Sequence, residues 1–161
     1  MRGRVLDVGC GTGEHVLLAA ERGYDATGVD IAAAAIEQAE AKAHERGLTA
    51  HFIVHDALQL ESLDGAYDTV LDSGCFHVFD DDDRARFVAS LRGLMRPGDR
   101  YYLACFSDRE PGDWGPRRVT QDEIRRAFAE GWQVESIEPS SFVVNLDPPK
   151  SLAWRAAIVR T

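Results

Sequence analysis

The sequence predicts one α/β domain built on a mostly parallel sheet with helices on both faces. Two observations indicate this fold class. Short apolar segments alternate along the chain with longer amphipathic ones, and a glycine-rich turn joins the first apolar segment to the first helical one. The chain has 161 residues, of which 45% are hydrophobic. That length and composition suffice for a single core, so we expect one domain over residues 1–161.

The first half of the chain repeats a strand–helix pattern. Gly23 and Gly47 end the two helical segments, as glycine commonly does at a helix C-terminus. A turn at Asp64-Gly65 precedes the fourth strand. We predict strands at residues 5–8, 24–29, 50–54 and 67–71, and helices at residues 14–22 and 32–46.

The second half continues with a helix, a strand and a shorter helix. A stripe of apolar residues runs along residues 81–95, and Pro97-Gly98 ends that helix. Residues 101–106 are apolar enough for a central strand of a parallel sheet. Thr120 and Glu123 form a capping box, so the last helix begins there and is predicted to reach residue 130.

The chain closes with two strands that have no long helix between them. The segments 132–138 and 152–159 are apolar and β-branched enough to be strands. Because the connection lacks room for a crossover helix, we expect an antiparallel hairpin at the edge of the sheet. The segment Asp147-Pro148-Pro149-Lys150 is interpreted as a turn within that connection.

The glycine-rich turn after the first strand predicts a nucleotide-type binding site. Gly9, Gly11 and Gly13 occupy alternate positions, which lets the backbone bend sharply and approach a ligand without intervening side chains. The following helix presents its free N–H groups to the same turn. Asp30 ends the second strand, where a carboxylate can accept hydrogen bonds from both ribose hydroxyls.

The spacing of the glycines favours a cofactor without phosphates. A dinucleotide fingerprint beginning at Gly9 requires glycine at position 14, and the chain has Glu14, whose charge would repel a pyrophosphate. The segment from Asp7 to Gly13 resembles motif I of the class I S-adenosylmethionine (AdoMet) methyltransferases, and Asp30 stands where that family binds the ribose. The resemblance implies cofactor contacts from Asp7, Gly9, Cys10, Gly11, Gly13, Asp30 and Ile31.

Two further strand ends carry side chains that the resemblance places at the cofactor. Ligands of open α/β sheets bind beyond the carboxyl ends of the strands. The resemblance puts Asp56 at the adenine amino group and Ala57 against the ring, although an Asp in this position also commonly caps a turn. After the fourth strand it puts Asp72 and Ser73 at the amino end of the cofactor.

The segment after the fourth strand carries the residues expected at the reacting methyl group. Residues 72–87 resemble a small-molecule branch of the family related to thiopurine, halide, quinone and phenol methyltransferases. Phe76 is expected against the methyl acceptor. His77 is the candidate catalytic base, because histidine titrates near neutral pH. The alternative is a packed, hydrogen-bonded histidine with no role in proton transfer. The acidic run at residues 80–83 is interpreted as a helix start.

The connection at residues 107–119 is long enough to be a lid or a binding loop. Trp114 is expected to stack on an aromatic acceptor, and Arg117 to hold an anionic one. The alternatives are that Trp114 is a hydrophobic plug that anchors the loop and that Arg117 and Arg118 are merely solvated.

Charge and cysteine content argue against several other functions. The net charge is −9 and the basic residues are scattered, so we expect no nucleic-acid partner. No apolar run is long enough to span a membrane, and we expect a cytoplasmic protein. Three separated cysteines indicate neither a disulfide framework nor a metal site, and His51 and His55 lack a third ligand.

The resemblance covers residues 4–160 and implies a Rossmann-like class I fold, a mostly parallel seven-stranded sheet that ends in the antiparallel hairpin. Few residues precede the first strand, so we expect the N-terminal segment that usually covers the cofactor in this family to be missing. The implied activity is methyl transfer from AdoMet to an S, O or N atom of a small molecule, with S-adenosylhomocysteine as the product.

Two alternatives to that activity stay open on the sequence alone. One is an AdoMet-binding domain with little or no activity because the N-terminal cover is missing. The other is an NAD-dependent oxidoreductase, which Glu14 and the terminal hairpin disfavour.

Overall fold

A seven-stranded sheet forms the centre of the molecule, in the order β3-β2-β1-β4-β5-β7-β6. The computed structural model describes residues 1–143 and 150–161. Its strands are β1 (Arg4–Val8), β2 (Asp25–Asp30), β3 (His51–Val54), β4 (Thr69–Ser73), β5 (Arg100–Phe106), β6 (Trp132–Val143) and β7 (Lys150–Arg160). Its α-helices are α1 (Glu14–Glu21), α2 (Ala33–Glu45), α3 (Asp81–Leu94) and α4 (Gln121–Ala127).

The first five strands are parallel, and the last two are antiparallel to their neighbours. β1 pairs with β2 and β4, and the outer parallel pairs are β2–β3 and β4–β5. β7 lies between β5 and β6 and is antiparallel to both. The predicted fold class, a mostly parallel sheet closed by an antiparallel hairpin, is therefore confirmed. The predicted turn at residues 147–149 lies outside the described residues.

The hairpin is longer than the sequence indicates. β6 reaches Val143 and β7 begins at Lys150, and a bulge interrupts their register between Val134 and Ser136. Pro139 lies within β6, whereas the sequence predicts that this strand ends at residue 138. It is tolerated because β6 pairs only with β7, so a proline without an N–H group can face the open edge of the sheet.

Two apolar clusters, one on each side of the sheet, make up the core. Neighbouring residues of β1 divide between them: Val5 packs with the cluster under α1, whereas Leu6 belongs to the larger cluster under α3 and α4. This alternation follows from the two-residue period of a strand. The larger cluster also contains Phe87, Tyr101 and Ile124, which are all fully buried. Helices therefore cover both faces of the sheet, as predicted.

The turn between β1 and α1 requires glycine for two reasons. Gly13 has a φ of +84°, a left-handed backbone conformation that costs other residues about 1–2 kcal/mol. A Cβ atom at this position would also lie 2.7 Å from the ring of Phe52 and 2.8 Å from the Cβ of Ala39. The N-terminus of α1 therefore packs against α2 and β3 at a distance that only glycine permits.

Two alanine variants separate the cost of backbone strain from the cost of overpacking. We expect Gly13→Ala to lower the free energy of unfolding by about 3 kcal/mol, because backbone strain and overpacking add. Gly23→Ala should cost about 1 kcal/mol, since Gly23 has a φ of +80° but a Cβ there meets nothing within 4 Å. Urea unfolding of both variants checks this, and equal losses would contradict the close packing at Gly13.

Candidate functional site

Four strand ends meet at a cavity of about 280 Å³ on one edge of the sheet. The cavity lies beyond β1, β2, β3 and β4, where the strand order reverses between β1 and β4. Open α/β sheets bind ligands at this point. The lining residues that the sequence predicts are Gly9, Asp30, Ile31, Asp56 and Ala57. It misses Val29 and His55, and it expects the segment after β4 here without singling out Gly74, Cys75, Val78 and Phe79.

Asp30 is fixed in place by two backbone N–H groups. Its Oδ2 accepts a hydrogen bond from Gly11 at 2.9 Å, and its Oδ1 accepts one from Ala32 at 2.9 Å. A carboxylate oxygen can accept more than one hydrogen bond, so each oxygen can still bind a ligand hydroxyl. The carboxylate is thus held at the cavity wall and can accept from two neighbouring hydroxyls.

Asp7 carries an unpaired carboxylate oxygen beneath the glycine-rich turn. Asp7 is 1% exposed, and its Oδ2 has no hydrogen-bond partner among the described residues. The Nδ1 of His15 lies 3.7 Å from that oxygen, too far for a hydrogen bond. Burial raises the pKa of Asp7, while the nearby carboxylate raises the pKa of His15. A buried carboxylate oxygen without a hydrogen-bond donor is stabilised by a donor or a positive charge that a ligand brings to this turn.

Asp72 shapes the loop after β4. Its carboxylate accepts hydrogen bonds from the N–H of Cys75 at 2.7 Å, the N–H of Phe76 at 3.0 Å and the hydroxyl of Tyr101 at 2.7 Å. Burial raises the pKa of Asp72 to about 7 in spite of these donors, which lower it. The carboxylate is therefore fully engaged within the protein, and it ties the loop to β5.

His77 is buried next to the cavity and forms a hydrogen bond that defines its tautomer. Its Nδ1 lies 2.9 Å from the backbone N of Phe106. A backbone N–H only donates, so Nδ1 is the acceptor and the ring proton resides on Nε2. Burial and the nearby charges of Arg84 and Arg118 lower the pKa of His77 to about 4. The ring is therefore neutral, and it carries an N–H group on the side away from Phe106.

The loop at residues 107–119 folds around a single guanidinium group. Arg118 donates hydrogen bonds to backbone carbonyls of the loop, and its guanidinium carbon lies 5.4 Å from the ring centre of Phe106 and 5.3 Å from that of Trp114. The accepting carbonyls belong to Glu110, Pro111, Gly112, Trp114 and Pro116. Arg118 thus organises the loop, which contradicts the alternative that it is merely solvated.

Aromatic side chains line the space between this loop and His77. The ring of Phe106 lies 5.0 Å from His77, 5.3 Å from Trp114 and 5.5 Å from Phe142, measured between ring centres. Trp114 is 37% exposed, so it offers part of its ring to the surface. The sequence gives no signal for Phe142, because only the hairpin pairing brings it here.

The family of the chain follows from its similarity to known sequences. A family model described as a methyltransferase domain matches residues 5–98, which include every strand end that forms the cavity. The chain belongs to this methyltransferase family. Class I members use AdoMet as the methyl donor, so the nicotinamide alternative has no support.

Relatives of this methyltransferase domain agree with the assignment. The chain is 35% identical to 2-heptyl-1-hydroxyquinolin-4(1H)-one methyltransferase of Mycobacteroides abscessus, over 91% of this chain and 66% of the relative. It is 35% identical to demethylmenaquinone methyltransferase of Thermus thermophilus, over 70% of this chain and 51% of that protein. The chain thus spans between half and two thirds of the length of these two relatives.

Solved structures show the same fold. A protein studied for the conversion of a disulfide bond into a thioacetal group during echinomycin biosynthesis has 36% identity and a TM-score of 0.86, over 99% of this chain and 76% of that one. Magnesium protoporphyrin IX methyltransferase from Synechocystis PCC 6803 with bound AdoMet has a TM-score of 0.77 at 22% identity, over 98% and 70% of the two chains.

Several predicted cofactor residues of the methyltransferase domain support the cavity without lining it. The side chain of Cys10 faces the sheet, where a Cβ on Gly28 would lie 2.8 Å from its Sγ. Gly13 packs against Phe52, and Asp72 points into the core. Ser73 is exposed at the end of β4 and is not part of the cavity wall. Direct cofactor contacts from these residues stay predictions.

Two predicted acceptor residues lie elsewhere. Phe76 is 0% exposed and packs in the core, with its ring centre 5.8 Å from that of Phe128, so the expectation that it contacts the acceptor is wrong. Arg117 pairs with Asp81 and with Glu123, each at 2.6 Å, on the surface between α3 and α4. Its charge is therefore already neutralised by two carboxylates away from the cavity.

The described residues show neither a membrane helix nor a metal-binding cluster. No helix among them has the length and apolar character to cross a bilayer. Across residues 1–143 and 150–161, no group of three or more His, Cys, Asp or Glu side chains is placed to hold a metal ion.

Asp72 makes the stability of the protein fall with rising pH. Between its ordinary pKa of 3.8 and its folded pKa of about 7, the folded protein holds a proton that the unfolded chain has released. Folding is therefore favoured at low pH, and this contribution is lost as the pH rises through about 7. We expect Asp72→Asn to remove it. Urea unfolding from pH 4 to pH 8 checks this as the difference between variant and wild type, in which other titrating groups cancel. Parallel pH profiles would contradict it.

Proposed function

We propose that this protein transfers the methyl group of AdoMet to an O, S or N atom of an apolar aromatic small molecule. The observation that carries the proposal is an apolar surface beside the cavity, formed by Val78, Trp114, Phe142 and Val143, which we call the acceptor patch. Val78 is 62% exposed and also lines the cavity, so the patch adjoins the cofactor site. Exposed apolar surface of this kind marks ligand or partner sites.

The acceptor patch is continuous with the loop that follows β4. His77, next to Val78 in the chain, lies 6.1 Å from Phe142 between ring centres. Phe106 joins Phe142 to Trp114 behind it. Aromatic rings arranged in this way stack favourably on a flat ligand ring. The four side chains of the patch are apolar, and the guanidinium of Arg118 lies 5.3 Å from the ring centre of Trp114, so the patch favours an aromatic ring that can lie beside a positive charge.

The names of two relatives support an aromatic acceptor. One acts on a hydroxyquinolinone and the other on demethylmenaquinone, a heterocycle and a quinone respectively. The chain covers only part of each relative, so their names alone do not define its acceptor. The acceptor patch supplies the second, independent argument for an aromatic ring. We infer a ring system with an ionisable or nucleophilic atom, small enough to reach the cavity between Val78 and Phe142.

The residues around the cavity fit the parts of AdoMet. Asp30 accepts from the two ribose hydroxyls. Ile31, which is 73% exposed, and Ala57 supply apolar surface to the adenine ring, and Asp56 lies at its amino group. The glycine-rich turn leaves room for the methionine part, and the buried Oδ2 of Asp7 beneath that turn is free to accept a hydrogen bond.

The role of the protein in the reaction is alignment and exclusion of water. When bound, AdoMet supplies a methyl carbon activated by its positively charged sulfur. A lone pair of the acceptor would form the new bond as the carbon–sulfur bond breaks, the electron pair of that bond would stay on the sulfur, and any proton on the acceptor atom would leave to solvent. Asp72 fixes the loop at residues 74–79 on the acceptor side, and the acceptor patch holds the acceptor ring in line with the carbon.

The proposal is tested first by binding and then by turnover. Calorimetry should detect AdoMet and S-adenosylhomocysteine but not NADH. Mass spectrometry should then detect methylation within a panel of thiophenols, phenols, hydroquinones and N-hydroxyquinolinones. Binding of AdoMet without methylation of any compound would contradict the proposal and favour the alternative of a binding domain with little or no activity.

A pair of variants tests the acceptor patch. We expect Trp114→Ala to raise the KM for an aromatic acceptor about tenfold, the loss of about 1.4 kcal/mol of stacking, with an unchanged Kd for S-adenosylhomocysteine. Leu18→Ala is the control, since Leu18 has a similar exposure of 40% on α1. An unchanged KM in Trp114→Ala would remove this residue from the acceptor site.

Asp30→Asn tests the ribose assignment. Asparagine has the same shape but only one acceptor oxygen, so a ribose hydroxyl and a backbone N–H both lose strong partners. We expect the Kd for S-adenosylhomocysteine to rise about 10- to 100-fold. The control is Asp64→Asn, at an exposed turn. Calorimetry measures the Kd for S-adenosylhomocysteine in both variants, and equal Kd values in Asp30→Asn and Asp64→Asn would contradict the assignment.

A further inference from the structure

His77 is oriented so that it can donate a hydrogen bond but not accept a proton. Its only basic nitrogen, Nδ1, accepts the N–H of Phe106 at 2.9 Å. Nε2 therefore carries the hydrogen, and the one hydrogen bond of His77 to the described residues is made through Nδ1. A Cβ on Gly74 would lie 3.4 Å from Nε2, so this atom points toward the loop that lines the cavity.

The groups around His77 favour this neutral form and an anion beside it. Arg84 from α3 and Arg118 from the 107–119 loop are the charged groups that act on the ring, and both are positive. Phe106 and Phe142, which pack against it, are apolar. Arg84 in turn lies 3.3 Å from Glu123, and Arg118 is bound by backbone carbonyls and not by a carboxylate.

No other described group at the cavity is free to take a proton from an acceptor. Burial raises the pKa of Cys75 far above its ordinary value, so it stays a thiol. The Asp72 carboxylate is engaged by three donors. The remaining candidates already take part in hydrogen bonds: Asp30 and Asp56 accept backbone N–H groups, and His55 contacts the carbonyl of Gln59.

We infer that the Nε2–H of His77 binds an acceptor atom that has already lost its proton, so that the protein selects aromatic acceptors acidic enough to ionise in solution. This inference rests on the proposed function and names its substrate class: aromatic thiols, acidic phenols or N-hydroxy heterocycles. His77 is then a catalytic residue that positions the anion, in place of the base that the sequence indicates.

The chemistry balances without a base. The acceptor releases its proton to solvent before it binds. Its anionic sulfur or oxygen forms a bond to the methyl carbon, the carbon–sulfur bond of the sulfonium breaks, and its electron pair stays on that sulfur. An anion and a cation become two neutral products, and no proton moves within the site. The Nε2–H bond aligns a lone pair of the anion with the methyl carbon.

A pH series over several acceptors tests this inference. We would measure kcat/KM against pH for para-substituted thiophenols and phenols whose own pKa values differ stepwise. The midpoint of each profile should shift with the pKa of the acceptor, because only the ionised form reacts. A midpoint that is the same for all acceptors would overturn the inference, since it would report a base on the protein.

The tautomer can be measured without turnover. Nitrogen–proton correlation spectra of the imidazole rings, recorded at neutral pH with S-adenosylhomocysteine bound, should show His77 with its proton on Nε2. A proton on Nδ1, or on both nitrogens, would overturn the inference. This readout separates the two proposals, because S-adenosylhomocysteine binding and the tautomer are observed even if no acceptor in the panel is methylated.

Substitutions at His77 test the donor role directly. Gln keeps an N–H group near the position of Nε2, whereas Phe keeps only the ring shape. We expect kcat/KM to fall about tenfold in His77→Gln and about 100-fold in His77→Phe. The acceptor-dependent midpoints and the Kd for S-adenosylhomocysteine should be kept. His44→Gln, on the exposed face of α2, is the control.

The pattern of losses decides the outcome. Equal losses in His77→Gln and His77→Phe would overturn the donor role. If His77→Phe fails to bind S-adenosylhomocysteine and is therefore misfolded, the imidazole spectra and the acceptor-dependent midpoints of the wild-type protein carry the test. Absence of methylation by wild-type protein that binds AdoMet would instead refute the proposed function.

Discussion

The hydrogen bond from the Gly11 N–H to the Asp30 carboxylate determines the shape of the cofactor cavity. It joins the turn after β1 to the end of β2, two neighbouring parallel strands. Gly11 has a φ of +52°, a left-handed backbone conformation that favours glycine at this turn. Because the carboxylate is already oriented, the binding of a ribose there does not include the entropic cost of ordering that side chain.

The acceptor side depends on a different use of a carboxylate. Asp72 ends β4 much as Asp30 ends β2, yet it is buried and fully engaged with Cys75, Phe76 and Tyr101. It holds the following loop in one conformation, and that conformation directs Phe76 into the core and His77 toward the cavity. One residue of that loop therefore stabilises the fold while its neighbour is available for chemistry.

Features that depend on local sequence were predictable. The alternation of strands and helices, the glycine-rich turn and the position of Asp30 follow from residues close together in the chain. Packing across the sheet was not predictable from the sequence, because it depends on contacts between residues far apart in the chain. Phe142 reaches His77 only through the register of β6 with β7, and the carbonyls that Arg118 binds are gathered by the fold of its loop. Phe76 and His77 differ by one position, and only their orientations distinguish core from site.

The position of β7 between β5 and β6 has a consequence for how the protein is made. β6 is synthesised before β7, but it pairs with no other strand of the sheet. Until β7 inserts, the twelve residues of β6 and the outer edge of β5 both expose unsatisfied backbone groups. During translation this region is therefore prone to aggregate until β7 pairs with both strands.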